Sequence, residues 1–186
     1  MKFRVNEIFS SIQGEGALMG KPCTFIRLAG CNKTCRFCDT DHEDFADMTL
    51  PEIKQQCFNL ENGYIVITGG EPLLSEGIAQ LVDALKLGGF QVGLETNGSI
   101  PLPCSFDYVT VSPKGSGDVM VTHANEVRVM SPLCLEHFER SISADNYFVS
   151  VKEVDGRFLI DEALELLKGS KGWRLSFQAH KLLGLK

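Results

Sequence analysis

The 186-residue chain predicts an α/β fold, a partial (β/α)6-type barrel of parallel strands open on one side. Three observations carry this expectation. Six segments read as strands, most of them apolar runs that end in Gly or Pro and several too apolar to face water on one side. Stripes of apolar residues at helical spacing fall between them. Six strands are also too few to close an eight-unit barrel. Strands alternating with helices form right-handed βα units, which place the strand C-terminal ends on one rim, and functional groups are expected there. With no linker, low-complexity run or repeat, residues 1–186 are expected to form one domain; a chain of this length buries roughly 70% of its unfolded surface.

In chain order, CTFIRLAG (23–30) is the first strand. Thr49-Leu50-Pro51-Glu52 carries the Ser/Thr-x-x-Glu capping pattern and opens a helix. YIVITGG (64–70) follows as a strand, and Ile78, Leu81, Val82 and Leu85 share one face of the next helix. FQVGLETNG (90–98), FDYVTVSPK (106–114) and NEVRVM (125–130) are three further strands. Ser131-Pro132 offers an N-cap with proline at the first helical position. NYFVSV (146–151) is the last strand, and Ile160, Ala163, Leu164 and Leu167 form a later helical stripe. All these stripes are expected to pack in the core.

Composition excludes some classes of function. Hydrophobic residues at 44% and charged residues at 23% suit a folded globular protein rather than a disordered one. A net charge of −6 disfavours a nucleic-acid binder, which needs clustered Lys and Arg against phosphates. The start, MKFRVNEIFSSIQGEG, lacks an apolar signal core, and no segment reaches the roughly 20 apolar residues of a membrane span, so the cytoplasm is expected. Thiols stay reduced there, and seven cysteines with three of them clustered point to a metal or to catalysis rather than to disulfides. Cys23, Cys57, Cys104 and Cys134 stand apart and read as small buried hydrophobes.

The cluster is Cys31, Cys35 and Cys38, a C-x3-C-x2-C run directly after the first strand and therefore in a rim loop. Two readings are open on spacing alone. With His42 as a fourth ligand the three cysteines could hold structural zinc. Alternatively, three thiolates could hold an iron–sulfur cubane with one iron left free for a substrate or cofactor.

The next rim loop discriminates between them. Gly69-Gly70-Glu71-Pro72 ends the second strand, where glycines let a ligand approach the backbone. The cysteine run followed by Gly-Gly-Glu-Pro resembles the radical S-adenosylmethionine (radical SAM) enzymes, whose free iron is chelated by the amino and carboxylate groups of S-adenosylmethionine. The resemblance narrows, through nearly the whole chain, to the 7-carboxy-7-deazaguanine synthases. It rests on Ser11–Gly16, Phe25–Cys31, Cys38-Asp39-Thr40, Val66–Pro72, Val111–Lys114, Trp173–Ser176 and His180-Lys181.

This resemblance implies a radical SAM barrel that converts 6-carboxytetrahydropterin to 7-carboxy-7-deazaguanine, with ring contraction and loss of ammonia, on the route to 7-deazapurines such as queuosine. It makes Cys31, Cys35 and Cys38 the [4Fe–4S] ligands and Thr40 a Mg²⁺ ligand among substrate and water oxygens. Phe37, Cys38, Asp39, Gly70, Ser112, Pro113 and Lys114 would contact S-adenosylmethionine, with Glu95, Thr96 and Asn97 secondary. Ile12, Gln13, Gly14, Glu15, Arg27 and Thr68 would bind substrate. A carboxylate at Glu15 suits the N–H and amino donors of a pterin edge, and the Arg27 guanidinium suits its carboxylate. The plain alternatives are a Gly-rich turn at 12–16, and for Arg27 an exposed strand residue paired with a local acid.

In the implied mechanism an electron reaches the cluster, S-adenosylmethionine is cleaved, and the resulting radical removes hydrogen from C6 of the pterin; no side chain is assigned as a general base. An electron donor such as flavodoxin or ferredoxin and a homodimeric assembly are further implications. One departure is that Tyr147–Lys152 has no Gln-Pro motif toward the cofactor. His180 and Lys181 are left outside the main site as tail residues. The competing functions are an activase of a glycyl-radical enzyme, which would act on a protein partner, and a non-enzymatic zinc-binding module, which leaves Gly-Gly-Glu-Pro and Ser-Pro-Lys unexplained.

Overall fold

Strand β1 (Lys2–Ile12) begins the molecule, and its first half shows why: Phe3 and Val5 are buried while Lys2 and Arg4 between them are exposed, the period-2 pattern of a strand with one face in the core. The computed structural model describes residues 1–35, 38, 40–41, 43–115, 119–129, 135–151, 153–154 and 157–186. Ser131-Pro132 and Cys134 lie outside the described residues.

The chain continues through β2 (Pro22–Leu28), β3 (Ala46–Thr49), helix α1 (Leu50–Asn59), β4 (Tyr64–Gly69), α2 (Ile78–Leu87), β5 (Gln91–Thr96) and β6 (Tyr108–Val111). It then forms β7 (His123–Val129), α3 (Leu135–Ser141), β8 (Ser143–Ser150), the short β9 (Glu153–Val154) and β10 (Arg157–Phe158), α4 (Ile160–Leu167), β11 (Trp173–Ser176) and α5 (Ala179–Leu182).

Among the described residues nine strands make one sheet in the order β11-β8-β7-β6-β5-β4-β2-β1-β3. From β2 to β11 every neighbouring pair is parallel, whereas β1 runs antiparallel to both β2 and β3. The expected open parallel barrel is therefore present, with seven parallel strands rather than six: β11, expected only as a tail motif, extends the sheet beside β8. Neither β1 nor β3 was expected as a strand. Ala-Asp-Met-Thr has no apolar run, and it is recruited by pairing residue for residue with Lys2–Val5.

Helices do not fill every crossover. Residues 97–107, between β5 and β6, hold no helix among the described residues; Ile100, Leu102, Cys104 and Phe106 lie over the core in its place. The predicted capping box is formed: Glu52 Oε2 accepts from the Thr49 amide and hydroxyl, each at 2.7 Å. Ile78, Leu81, Val82 and Leu85 are all buried, as their spacing predicts. In α4 the expected stripe holds for Ala163 and Leu167 and is corrected for Ile160 and Leu164. Ile160 and Leu164 are 47% and 45% exposed, because the core-facing side is centred on Ala163, Leu166 and Leu167, some 60–100° around the helix from them.

Alternation along the parallel strands splits the interior in two. One face, including Ile26, Ile65, Ile67, Leu94, Val127 and Val149, packs beneath the helices; each fully buried side chain of this kind contributes about 1.5–3 kcal/mol. The other face lines the barrel. There Cys23, Phe25, Tyr64 and Val66 form a small apolar floor with Phe9, Leu18 and Tyr108. Toward the strand C-terminal ends this inner face turns polar, at Arg27, Thr68, Glu95 and Arg128, and that change leaves room for a ligand. No helix among the described residues is long and apolar enough to cross a membrane.

Candidate functional site

The polar end of the barrel opens into a cavity of about 400 Å³, within the range of small-molecule and cofactor sites. Cys31, Cys35 and Cys38 line one wall, as free thiols. A turn in which Cys38 N donates to Cys35 O at 3.1 Å draws the last two together. Among the described residues no three His, Cys, Asp or Glu side chains converge tightly enough to hold one ion. His42, the fourth ligand in the zinc reading, lies outside the described residues, as do Phe37 and Asp39. Three thiolates on one wall suit a cluster, in which each would bind a different iron. Burial pushes the Cys35 thiol up, and Lys114 pulls against it.

The Gly-Gly-Glu-Pro loop sets the position of this wall. A Cβ on Gly70 would sit 2.2 Å from the Gly30 carbonyl oxygen and 2.8 Å from Cys31 Cβ, and one on Gly69 would sit 2.1 Å from the Leu28 oxygen. The two loops therefore pack backbone on backbone, which only glycine allows. Glu71 N donates to Gly30 O at 2.9 Å. The buried Glu71 carboxylate accepts from Leu73 N at 3.1 Å, from Thr96 Oγ1 at 2.8 Å and from Asn97 N at 2.8 Å. Burial pushes its carboxyl up, and these donors act in the opposite direction. Asn97 in turn donates to Asn32 at 3.0 Å, so the loops after β2, β4 and β5 form one unit. Thr96 and Asn97 thus act as scaffold as well as lining.

The facing wall comes from the loop after β1. Gly20 N donates to Gln13 O, and Gln13 N to Lys21 O, each at 2.8 Å; this closes a loop that turns through the left-handed Gly16 (φ 70°) and Gly20 (φ 87°). Ile12, Gln13, Gly14 and Glu15 all line the cavity. Gln13 Nε2 donates to Glu95 Oε1 and the Thr68 hydroxyl to Glu95 Oε2, both at 3.0 Å. Arg27 also lines the cavity while its Nε donates to Glu7 at 2.9 Å, so the local ion pair is formed and leaves the side chain on the cavity wall.

Thr40, Gly70, Ser112 and Lys114 share the cavity, whereas Pro113 is buried and does not line it. The tail reading is corrected: His180 and Lys181 line the cavity together with Lys186. Ala179 N donates to Gly14 O at 2.9 Å, and a Cβ on Gly14 would lie 1.8 Å from His180 Nδ1, so α5 packs directly on the loop after β1.

Two charged residues escaped the sequence reading. Arg128 is buried and pairs with Glu15, Glu95 and Glu126. Burial works against its charge, but the three carboxylates outweigh burial and hold the guanidinium above its ordinary value. The signal was present in Glu126-Val127-Arg128-Val129, where two charges of opposite sign, two residues apart, share one face of an apolar strand.

The chain's radical SAM superfamily match spans residues 25–118. Over 99% of its length it is 35% identical to the 7-carboxy-7-deazaguanine synthase of Haemophilus influenzae, covering 94% of that protein. It is 38% identical to that of Bacteroides thetaiotaomicron, with both chains covered in full. The crystal structure of QueE from Escherichia coli superposes with a TM-score of 0.76 at 26% identity, covering 97% of this chain and 95% of that one.

Proposed function

Because the chain belongs to the radical SAM superfamily and, within it, to the 7-carboxy-7-deazaguanine synthase family, we propose that it converts 6-carboxy-5,6,7,8-tetrahydropterin to 7-carboxy-7-deazaguanine. It is a radical SAM enzyme acting on a small molecule, and the finer class is a carbon–nitrogen lyase that releases ammonia for queuosine-type 7-deazapurine synthesis. One observation carries the substrate reading: a single cavity sets three free thiols on one wall against Arg27 and the Glu15 carboxylate on the other. Glu15 Oε1 is buried with no hydrogen-bond partner among the described residues, so the wall has an acceptor to spare.

Cys31, Cys35 and Cys38 would hold the [4Fe–4S] cluster, and the Gly70 backbone with Ser112 and Lys114 would bind S-adenosylmethionine; Phe37, Asp39 and Pro113 join this set by resemblance. Together the cluster and S-adenosylmethionine supply the one-electron chemistry that starts the rearrangement. The chain's own residues bind and orient. Arg27 holds the pterin carboxylate, Glu15 accepts from its N–H edge, and Gln13 and Thr68 keep Glu95 in place by hydrogen bonds at 3.0 Å. Thr40 offers a hydroxyl to Mg²⁺ beside the substrate. The apolar floor below these groups keeps water from the reacting atoms.

Residues 1–186 act in this reading as one domain, in the cytoplasm, as a homodimer served by a flavodoxin- or ferredoxin-type reductant. Anaerobic turnover of the reconstituted protein with 6-carboxytetrahydropterin, S-adenosylmethionine, Mg²⁺ and a reductant is expected to yield the deazaguanine and ammonia. A protein that carries its cluster and cleaves S-adenosylmethionine yet leaves the carboxypterin unchanged would refute the substrate assignment.

A further inference from the structure

At the base of the cavity one guanidinium meets three carboxylates from three separate elements. Arg128, 6% exposed, donates through Nη1 to Glu15 Oε2 and through Nε and Nη2 to Glu126 Oε1, at 2.9 and 2.8 Å, and its Nη1 lies 3.6 Å from Glu95 Oε1. Glu126, 1% exposed, gives its second oxygen to the Ala17 amide at 2.8 Å and to the Tyr108 hydroxyl at 3.1 Å. Gly16 N donates to Ser176 Oγ at 2.9 Å, and a Cβ on Gly16 would lie 2.1 Å from Glu126 Oε1. The loop after β1 is thereby fastened to β7 and β11 from beneath.

The consequence falls on Glu15. One of its oxygens is taken by Arg128, and the other, Oε1, is buried without a donor among the described residues. A buried acceptor left unpaired is costly, and a single guanidinium cannot neutralise three carboxylates. The arrangement is satisfied when a ligand brings N–H donors to Oε1.

We propose that Arg128, backed by Glu126, is a positioning residue for the substrate: it locks the Glu15 carboxylate so that Oε1 meets a heterocycle edge carrying adjacent N–H and amino donors. The assignment rests on the carboxypterin reading above. The planar fork of arginine is needed because its Nη1 and its Nε/Nη2 edge serve Glu15 and Glu126 at the same time, which a lysine ammonium cannot reproduce in one geometry.

The test is steady-state kinetics of the anaerobically reconstituted R128K, E126Q and E15Q enzymes and of the doubles R128K/E15Q and E126Q/E15Q, with 6-carboxytetrahydropterin varied. R128K is expected to raise KM about 30-fold, with kcat held within about threefold and the cluster absorbance unchanged. In the E15Q background the same substitution should add little, since its effect runs through Glu15. E126Q should show a smaller rise in KM with the same non-additivity, and it carries the test if R128K does not fold. An unchanged KM, or single effects that multiply in the doubles, would overturn the proposal. A wild-type enzyme that does not convert the carboxypterin refutes the substrate reading, whereas conversion by wild type with unshifted variants refutes only the role of Arg128.

Discussion

Glu7 and Arg27 stand directly opposite each other in the antiparallel β1–β2 pair, and Arg27 Nε donates to Glu7 Oε1 at 2.9 Å. Lys186 reaches the other oxygen of the same carboxylate. Burial works against the charge on Glu7, but the two cations outweigh it and hold the carboxyl below its ordinary value. Glu7 therefore stays ionised at neutral pH and fixes the side chain proposed to grip the substrate carboxylate.

Arg27→Ala should raise KM for the carboxypterin about 10- to 100-fold, the loss of one charge-assisted contact worth about 1.5–3 kcal/mol, and leave the cluster spectrum intact. Glu7→Gln, which keeps the shape but not the charge, should raise it only a few-fold. Isothermal titration with substrate checks both, and unchanged affinity in the alanine variant would remove Arg27 from the site.

Cys35→Ala should yield protein without a stable cluster and without turnover, while Cys23→Ala and Cys57→Ala keep both. The physical difference is burial: Cys23 and Cys57 lie in the core, and burial pushes their thiols up to about 12, so they supply no thiolate at neutral pH. Iron and acid-labile sulfide counts decide the matter.

Gly70→Ala should cost about 100-fold in turnover, because the new methyl meets the Gly30 carbonyl oxygen at 2.2 Å and backbone must move to relieve it. Gly63→Ala, where nothing lies within 4 Å, serves as the control with normal activity.

Glu71→Gln should lower stability by about 1–3 kcal/mol, since an amide group cannot accept at both positions from the Leu73, Thr96 and Asn97 donors that the carboxylate now satisfies. A shift of the urea midpoint at unchanged slope would show it.

Alkali should weaken the fold in a defined window. Cys23 and Cys57 titrate near 12 in the folded state against 9.0 in an open chain. Above pH 9 the unfolded chain therefore releases protons that the folded chain retains, and stability declines until the folded thiols titrate as well. Tyr64 and Tyr108, also pushed up by burial, add to the decline above pH 10. Urea midpoints across this range should fall, and the Cys23→Ala/Cys57→Ala double variant should show a shallower decline. A flat profile would contradict the assigned burial.

The amino-acid sequence by itself determined the βα alternation, the capping box at Thr49–Glu52, the α2 core stripe and the two local loops proposed to carry the chemistry, C-x3-C-x2-C and Gly-Gly-Glu-Pro. Each of these is written in contiguous residues, where spacing and the absence of a Cβ act directly. Tertiary structure decided the rest. The strand β3 exists because β1 pairs with it, and the way α4 lies on its sheet keeps Ala163 and Leu167 in the core but turns Ile160 and Leu164 outward. Arg128 and Glu126 join the site because β7 faces a loop more than a hundred positions earlier in the chain. His180 enters because α5 donates a backbone hydrogen bond to Gly14. Such groupings depend on which strands become neighbours and which residues of each strand face inward, and pairing across the sheet fixes them where local propensity does not.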